Sequence, residues 1–152
     1  MGMQILTASS NCQSAVEAVA DIKKILVPKE GKLPKFILVY YTEDFSETDG
    51  YRVLVDKLWP RGMKKEWLKY DYWAKDITPS PTLRKWFHED IPGHWGDFVT
   101  QYQKELDDSP SMADFLTLIK PHPVITLLYA SKEPVYNHAR ILRDYLEMRL
   151  RE

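Results

Sequence analysis

Four residues with chemically useful side chains, Arg52, Asp56, Trp59 and Arg61, gather around one break in the chain, at Trp59-Pro60. Asp56 can exchange a proton with a ligand or orient it. Arg52 and Arg61 can hold an anion through paired N–H donors. Trp59 offers a flat apolar face. Together they suit a site for a small anionic molecule, and their spacing says which of them can cooperate. Along an extended strand Arg52, Leu54 and Asp56 share one face, while Tyr51, Val53 and Val55 share the other. Arg52 and Asp56 then lie about 13 Å apart, too far to pair without a third group between them. Asp56 and Arg61 cluster instead at the strand's C-terminal end, and open α/β sheets bind ligands outside that end. A plainer account makes each residue structural, with Asp56 capping the turn, Arg61 bonding loop carbonyls, Trp59 filling core and Arg52 pointing inward to pair with an acidic residue.

His138 is the second candidate. It follows the apolar run Val124–Ala130 by a short loop and falls in the first turn of the last helix. Its spacing to Ile141, Leu142 and Tyr145 turns it inward, near the C-terminal edge of the sheet. A helix N-terminus supplies unpaired N–H groups and a positive dipole end, suited to an anion. The same field disfavours an imidazolium, so a neutral His138 can accept a proton near pH 7. Asp56 and His138 are thus the catalytic candidates, as acid/base or orienting groups. The structural alternative for His138 is a buried histidine that knits helix to sheet. Asn137 reads as a ligand contact or as the helix cap. His88 closes a short helix, where capping competes with ligand binding. Arg84 and Lys85 on that helix can reach an anion or simply face water, and His94 and His122 read as surface residues.

These side chains need elements to hold them. Gln4–Ala8 reads as a short strand, and Ala15, Val16, Val19, Ile22, Ile25 and Leu26 recur at helical spacing behind a Ser14/Glu17 capping box. Phe36–Tyr41 is a continuous apolar run, as expected for a strand covered on both faces. A polar loop, Thr42–Gly50, leads to a strand over Tyr51–Leu58, and Gly62 can take the positive φ of a tight turn. The middle third reads as helices: Thr82–Phe87, then stripes at Trp95, Phe98, Val99, Tyr102 and Leu106 and at Met112, Phe115, Leu116 and Ile119. Pro121 and Pro123 bracket the turn into Val124–Ala130. The pattern predicts one α/β domain with a small, mostly parallel sheet flanked by helices.

Bulk properties narrow the classes. With 152 residues and 44% hydrophobic content the chain can bury a core without disulfides or metals. Its net charge of -1 advertises no nucleic-acid or membrane partner. The single cysteine, Cys12, suits a reducing cytoplasm, and no apolar run is long enough to span a bilayer. Zinc-like Cys/His spacing, an HExxH pair, a phosphate-cradling Gly-Lys-Ser/Thr loop, a GxSxG elbow and a dinucleotide fingerprint are all absent, so no metal or cofactor is expected.

The segment Tyr51–Gly62 resembles the signature of the YeaO-like family, bacterial proteins classed as a domain of unknown function. Further matching pieces follow in order: Lys75-Asp-Ile-Thr-Pro-Ser80, Leu83-Arg-Lys-Trp-Phe-His88, Tyr102-Gln-Lys-Glu-Leu106, Thr126-Leu-Leu-Tyr-Ala130 and Asn137-His-Ala139. The resemblance covers about residues 36–146, leaving residues 1–35 as a strand-helix extension. Lys57 stands where the family more often shows Arg. The resemblance implies positions and no reaction.

The leading expectation is a cytoplasmic protein that takes a small anionic ligand at the C-terminal edge of its sheet. Asp56 and His138 would act there as acid/base or orienting groups, with Arg52, Trp59, Arg61, His88 and Asn137 as contacts. One alternative is nucleic-acid binding through the basic and aromatic stretch Trp59–Trp73. Its lysines more simply face water while its aromatics dock on the core, so nucleic acid is not the expected partner. The other alternative is a non-catalytic interaction module. The apolar stripe Ala15–Leu26 needs a cover, either this domain or a second subunit of a homo-oligomer.

Overall fold

The computed structural model describes residues 33–152 and two short N-terminal strands, β1 (Ile5–Leu6) and β2 (Ala8–Ser9), paired in parallel. In place of the single strand expected over Gln4–Ala8 stand these two fragments, paired with each other. The helix expected over Ala15–Leu26, and Cys12, lie outside the described residues. The chain divides into two units, Met1–Leu33 and Pro34–Glu152. The second unit holds every candidate site residue.

Its centre is a four-stranded sheet in the order β3 (Lys35–Tyr40), β6 (Val124–Tyr129), β4 (Tyr51–Leu54), β5 (Tyr72–Trp73). Every pairing is parallel. All four C-terminal strand ends therefore lie on one edge, and three of them belong to the expected strands. The expected strand Tyr51–Leu58 stops earlier. Val55 N–H still donates to the Leu128 carbonyl, and the Leu54 carbonyl accepts from Ala74. Beyond that both neighbours run out, so the backbone at Asp56 leaves the ladder and its carbonyl accepts from the Trp73 indole instead, at 2.7 Å. β5 has no counterpart among the expected strands. Two residues carry no periodicity, and Tyr72–Trp73 becomes a strand only by pairing with β4.

Alternation along β4 and β6 sorts the core into two layers. Val53, Val55, Ile125 and Leu127 meet the helices, while Leu54 and Leu128 pack on the opposite face with Leu68 and the half-buried Trp59 and Trp73. Among the described residues, four helices share the core on the first face: α1 (Pro81–Glu89), α2 (Ile91–Asp108), α3 (Met112–Ile119) and α4 (His138–Arg151). Phe98, Tyr102 and Leu106 are buried on α2, and Ile141, Leu142, Tyr145 and Leu146 on α4. Each such side chain stabilises the fold by about 1.5–3 kcal/mol relative to exposure.

Local chemistry sets the helix starts. Ser80 Oγ accepts from Leu83 N–H, and Pro81 presets the first turn of α1. Glu105 of α2 binds both Ser80 N–H and Ser80 Oγ, locking α1 to α2. Asp90 ends α1 and caps α2 through Gly93 N–H. Asn137 caps α4. At the other end of the sheet Gly50 has φ 66°, and a Cβ there would strike the Val124 carbonyl, so only glycine fits where β4 enters beside β6.

Candidate functional site

Because β6 lies between β3 and β4, the end of β4 meets the loop that leads from β6 into α4. That adjacency joins Asp56 to His138 across the chain. His138 Nε2 is 2.5 Å from the Val55 carbonyl oxygen and 3.5 Å from Asp56 Oδ1. A carbonyl only accepts, so Nε2 carries a proton here. In the neutral ring Nδ1 then keeps its lone pair, and the imidazole is held in one tautomer. Below it Tyr102 is fully buried, its hydroxyl donating to the Ile77 carbonyl at 2.7 Å and its ring 6.4 Å from that of His138. Burial pushes the Tyr102 phenol well above its ordinary value.

Asp56 is mostly buried, and that burial raises its carboxyl above the ordinary value of 3.8. His138, the Ala130 backbone and the Arg84 charge pull in the opposite direction without cancelling it. One carboxylate oxygen, Oδ2, is buried with no hydrogen-bond partner among the described residues, and the same holds for Arg84 Nε. Such unmatched groups cost stability unless a ligand or water answers them.

Two hollows meet at this point. The larger, about 480 Å³, is walled by Phe87, Ile91, Phe98 and Tyr136, with His88, Lys132, Glu133 and Asn137 around it. The smaller, about 220 Å³, is lined by Lys57, Trp59, Arg61 and Thr78. Asp56, Arg84 and His138 line both. Among the described residues no group of three or more His, Cys, Asp or Glu is placed to hold a metal ion.

The expected site residues separate clearly. Asp56, His138, His88 and Asn137 share the larger hollow, and Trp59 and Arg61 the smaller. Asn137 also acts as the helix cap. Its carbonyl accepts from Arg140 N–H and its amide donates to the Glu133 carbonyl, leaving it 2% exposed. Trp59 is tied down as well, its indole N–H donating to the Met63 carbonyl and its ring edge-on to Tyr70 and Trp73. His88 is exposed at the rim, where partial burial and the charges of Arg84 and His138 lower its pKa.

Arg52 is brought to neither hollow. It is 2% exposed, pairs with Asp49 and donates from Nε to the Lys69 carbonyl at 2.7 Å, on the sheet face away from the helices. Arg84 is the cation at the centre in its place. Its signal was its spacing: Arg84 and His88 are one helical turn apart, on one face of α1. Lys132 carried no signal, being a lone lysine in a loop.

The family described as the inactive DUF488-N3 subclade, DUF488-N3i, matches residues 36–152. This chain belongs to that YeaO-like family. It is 45% identical over 100 residues to the uncharacterized protein YeaO of Escherichia coli (strain K12), covering 66% of this chain and 86% of YeaO. It is 37% identical over 107 residues to the uncharacterized protein Rv3073c of Mycobacterium tuberculosis (strain ATCC 25618 / H37Rv), covering 70% and 89%. The uncharacterized protein Mb3100c of Mycobacterium bovis (strain ATCC BAA-935 / AF2122/97) gives the same identity and coverage. No solved structure matches the chain significantly. Within the family-matched region, no described helix is long and apolar enough to cross a membrane.

Proposed function

We propose that this YeaO-like chain binds a small anionic molecule in the paired hollows at the C-terminal edge of its sheet. The supporting observation is a local reversal of charge. The two hollows bring together four cations, Lys57, Arg61, Arg84 and Lys132, against two carboxylates, Asp56 and Glu133. The whole chain carries a net charge of -1. Glu133 is further occupied by the loop, since its Oε2 accepts from Val135 N–H and Tyr136 N–H. A cleft positive against its surroundings concentrates anions.

The family's description as inactive favours binding over turnover. Asp56 and His138 then serve as orienting groups: the fixed His138 tautomer presents one acceptor, and the Asp56 carboxyl supplies a proton or takes one according to the ligand. The nucleic-acid reading loses ground because Trp59, Tyr70 and Trp73 pack on the Leu54, Leu68 and Leu128 layer, which leaves Trp67 and Tyr72 as the exposed rings of that stretch. A thermal-shift screen of phosphorylated and carboxylated small molecules tests the proposal. Hits whose affinity falls with salt and with Arg84→Gln support it; a blank screen, or hits that survive Arg84→Gln, Arg61→Gln and His138→Gln alike, ends it.

A further inference from the structure

The two hollows differ in chemistry, and the difference specifies a ligand. The larger has an aromatic and apolar wall within a mixed lining: the nearly buried Phe87 and Phe98 stack at 3.9 Å with planes 7° apart, Ile91 and Tyr136 close the sides, and Lys132, Glu133 and Asn137 also line it. Its volume, about 480 Å³, is well beyond what a bare inorganic anion fills. The smaller hollow, about 220 Å³, carries Lys57 and Arg61, both exposed cations, beside Thr78. Two cations lining one hollow suit a dianion better than a monoanion. Between the hollows stand Asp56, Arg84 and His138, which line both, so a ligand filling the pair must pass those three side chains.

We infer that the ligand is bipartite: a phosphate monoester whose organic part is a flat ring. The phosphate sits against Lys57 and Arg61, the ring lies in the Phe87/Phe98/Tyr136 lobe, and Arg84 with His138 grips the linking atoms. A ring in the large lobe displaces water from an apolar wall, which an aliphatic chain of the same charge does less completely. This rests on the anion-binding reading above and adds to it the second half of the ligand.

The test is calorimetric titration of the full chain with three probes: phenyl phosphate, glycerol 3-phosphate and phenol. Phenyl phosphate is expected to bind about tenfold tighter than glycerol 3-phosphate, the modest end of what burying one phenyl ring gives. Phenol alone is expected to bind weakest. Arg61→Gln, at an exposed position that folding does not need, is expected to weaken both phosphates by a similar factor. Tyr136→Ala is expected to remove the advantage of phenyl phosphate while leaving glycerol 3-phosphate unchanged. Equal binding of the two phosphates, or an advantage that survives Tyr136→Ala, overturns the bipartite ligand and leaves the anion site standing. Failure of every anion, here and in the broader screen, overturns both.

Discussion

His138 and Val55 are joined by a hydrogen bond of 2.5 Å from Nε2 to the carbonyl oxygen, across 83 positions of sequence. That bond ties the first turn of α4 to the point where β4 leaves the sheet, and it places the ring beside Asp56. Residue and backbone are thus organised together, so structural and ligand roles must be separated by experiment.

Replacing His138 by Ala strands the Val55 carbonyl and is expected to cost about 1–3 kcal/mol. His138→Gln keeps a donor of similar reach and is expected to recover part of that stability while still impairing ligand binding. Denaturant melts and titrations of both variants check this. Full recovery of binding in His138→Gln would reduce His138 to a strut.

Asp56 makes a pH-dependent prediction. Its folded pKa is raised, so the folded state holds the proton more tightly than the unfolded chain. The associated stability is fully present below the unfolded value of 3.8 and is lost as pH rises through the higher folded value. Near neutrality the buried carboxylate is therefore a burden. Asp56→Asn is expected to raise the melting temperature at pH 7, and the difference should shrink toward pH 3.5. A variant less stable than the parent at pH 7 would contradict the argument.

Arg52 and Asp49 form a buried pair away from the hollows. Asp49→Ala leaves a buried guanidinium uncompensated and is expected to cost about 3–5 kcal/mol. Ligand affinity of the molecules that remain folded should not change. A selective loss of affinity would return Arg52 to the site.

Gly50→Ala tests the entry of β4. Both the positive φ and the clash with the Val124 carbonyl oppose a side chain, and relieving the crowding is expected to cost at least about 1–3 kcal/mol. The loss should appear as a lower midpoint with an unchanged slope in denaturant. No measurable loss would mean that the strand tolerates a shifted register.

Much of this was legible in the chain because the signals are local. The runs at Phe36 and Val124 read as doubly covered strands, the stripes on α2 and α4 as helices, and Asn137 stands at a helix start where its side chain can answer a free N–H group. Those signals need only neighbours a few residues away. They also implied that Asp56 and His138 would share a sheet edge, since parallel strands end together.

Tertiary structure alone decided the rest. Strand order put β6 beside β4, which converted a shared edge into a 3.5 Å approach of His138 to Asp56. Pairing with β4 made a strand of Tyr72–Trp73, and exhausted partners ended β4 at Leu54 instead of Leu58. Arg52 went to Asp49 because alternation fixes only the face of a strand, while the turn at Glu47–Asp49 decides which carboxylate waits there. Arg84 became the central cation because Ser80 and Glu105 set where α1 begins and how it lies on α2. Periodicity records which side of an element is apolar; the partner on the polar side comes from a distant part of the chain, and only packing brings it within reach.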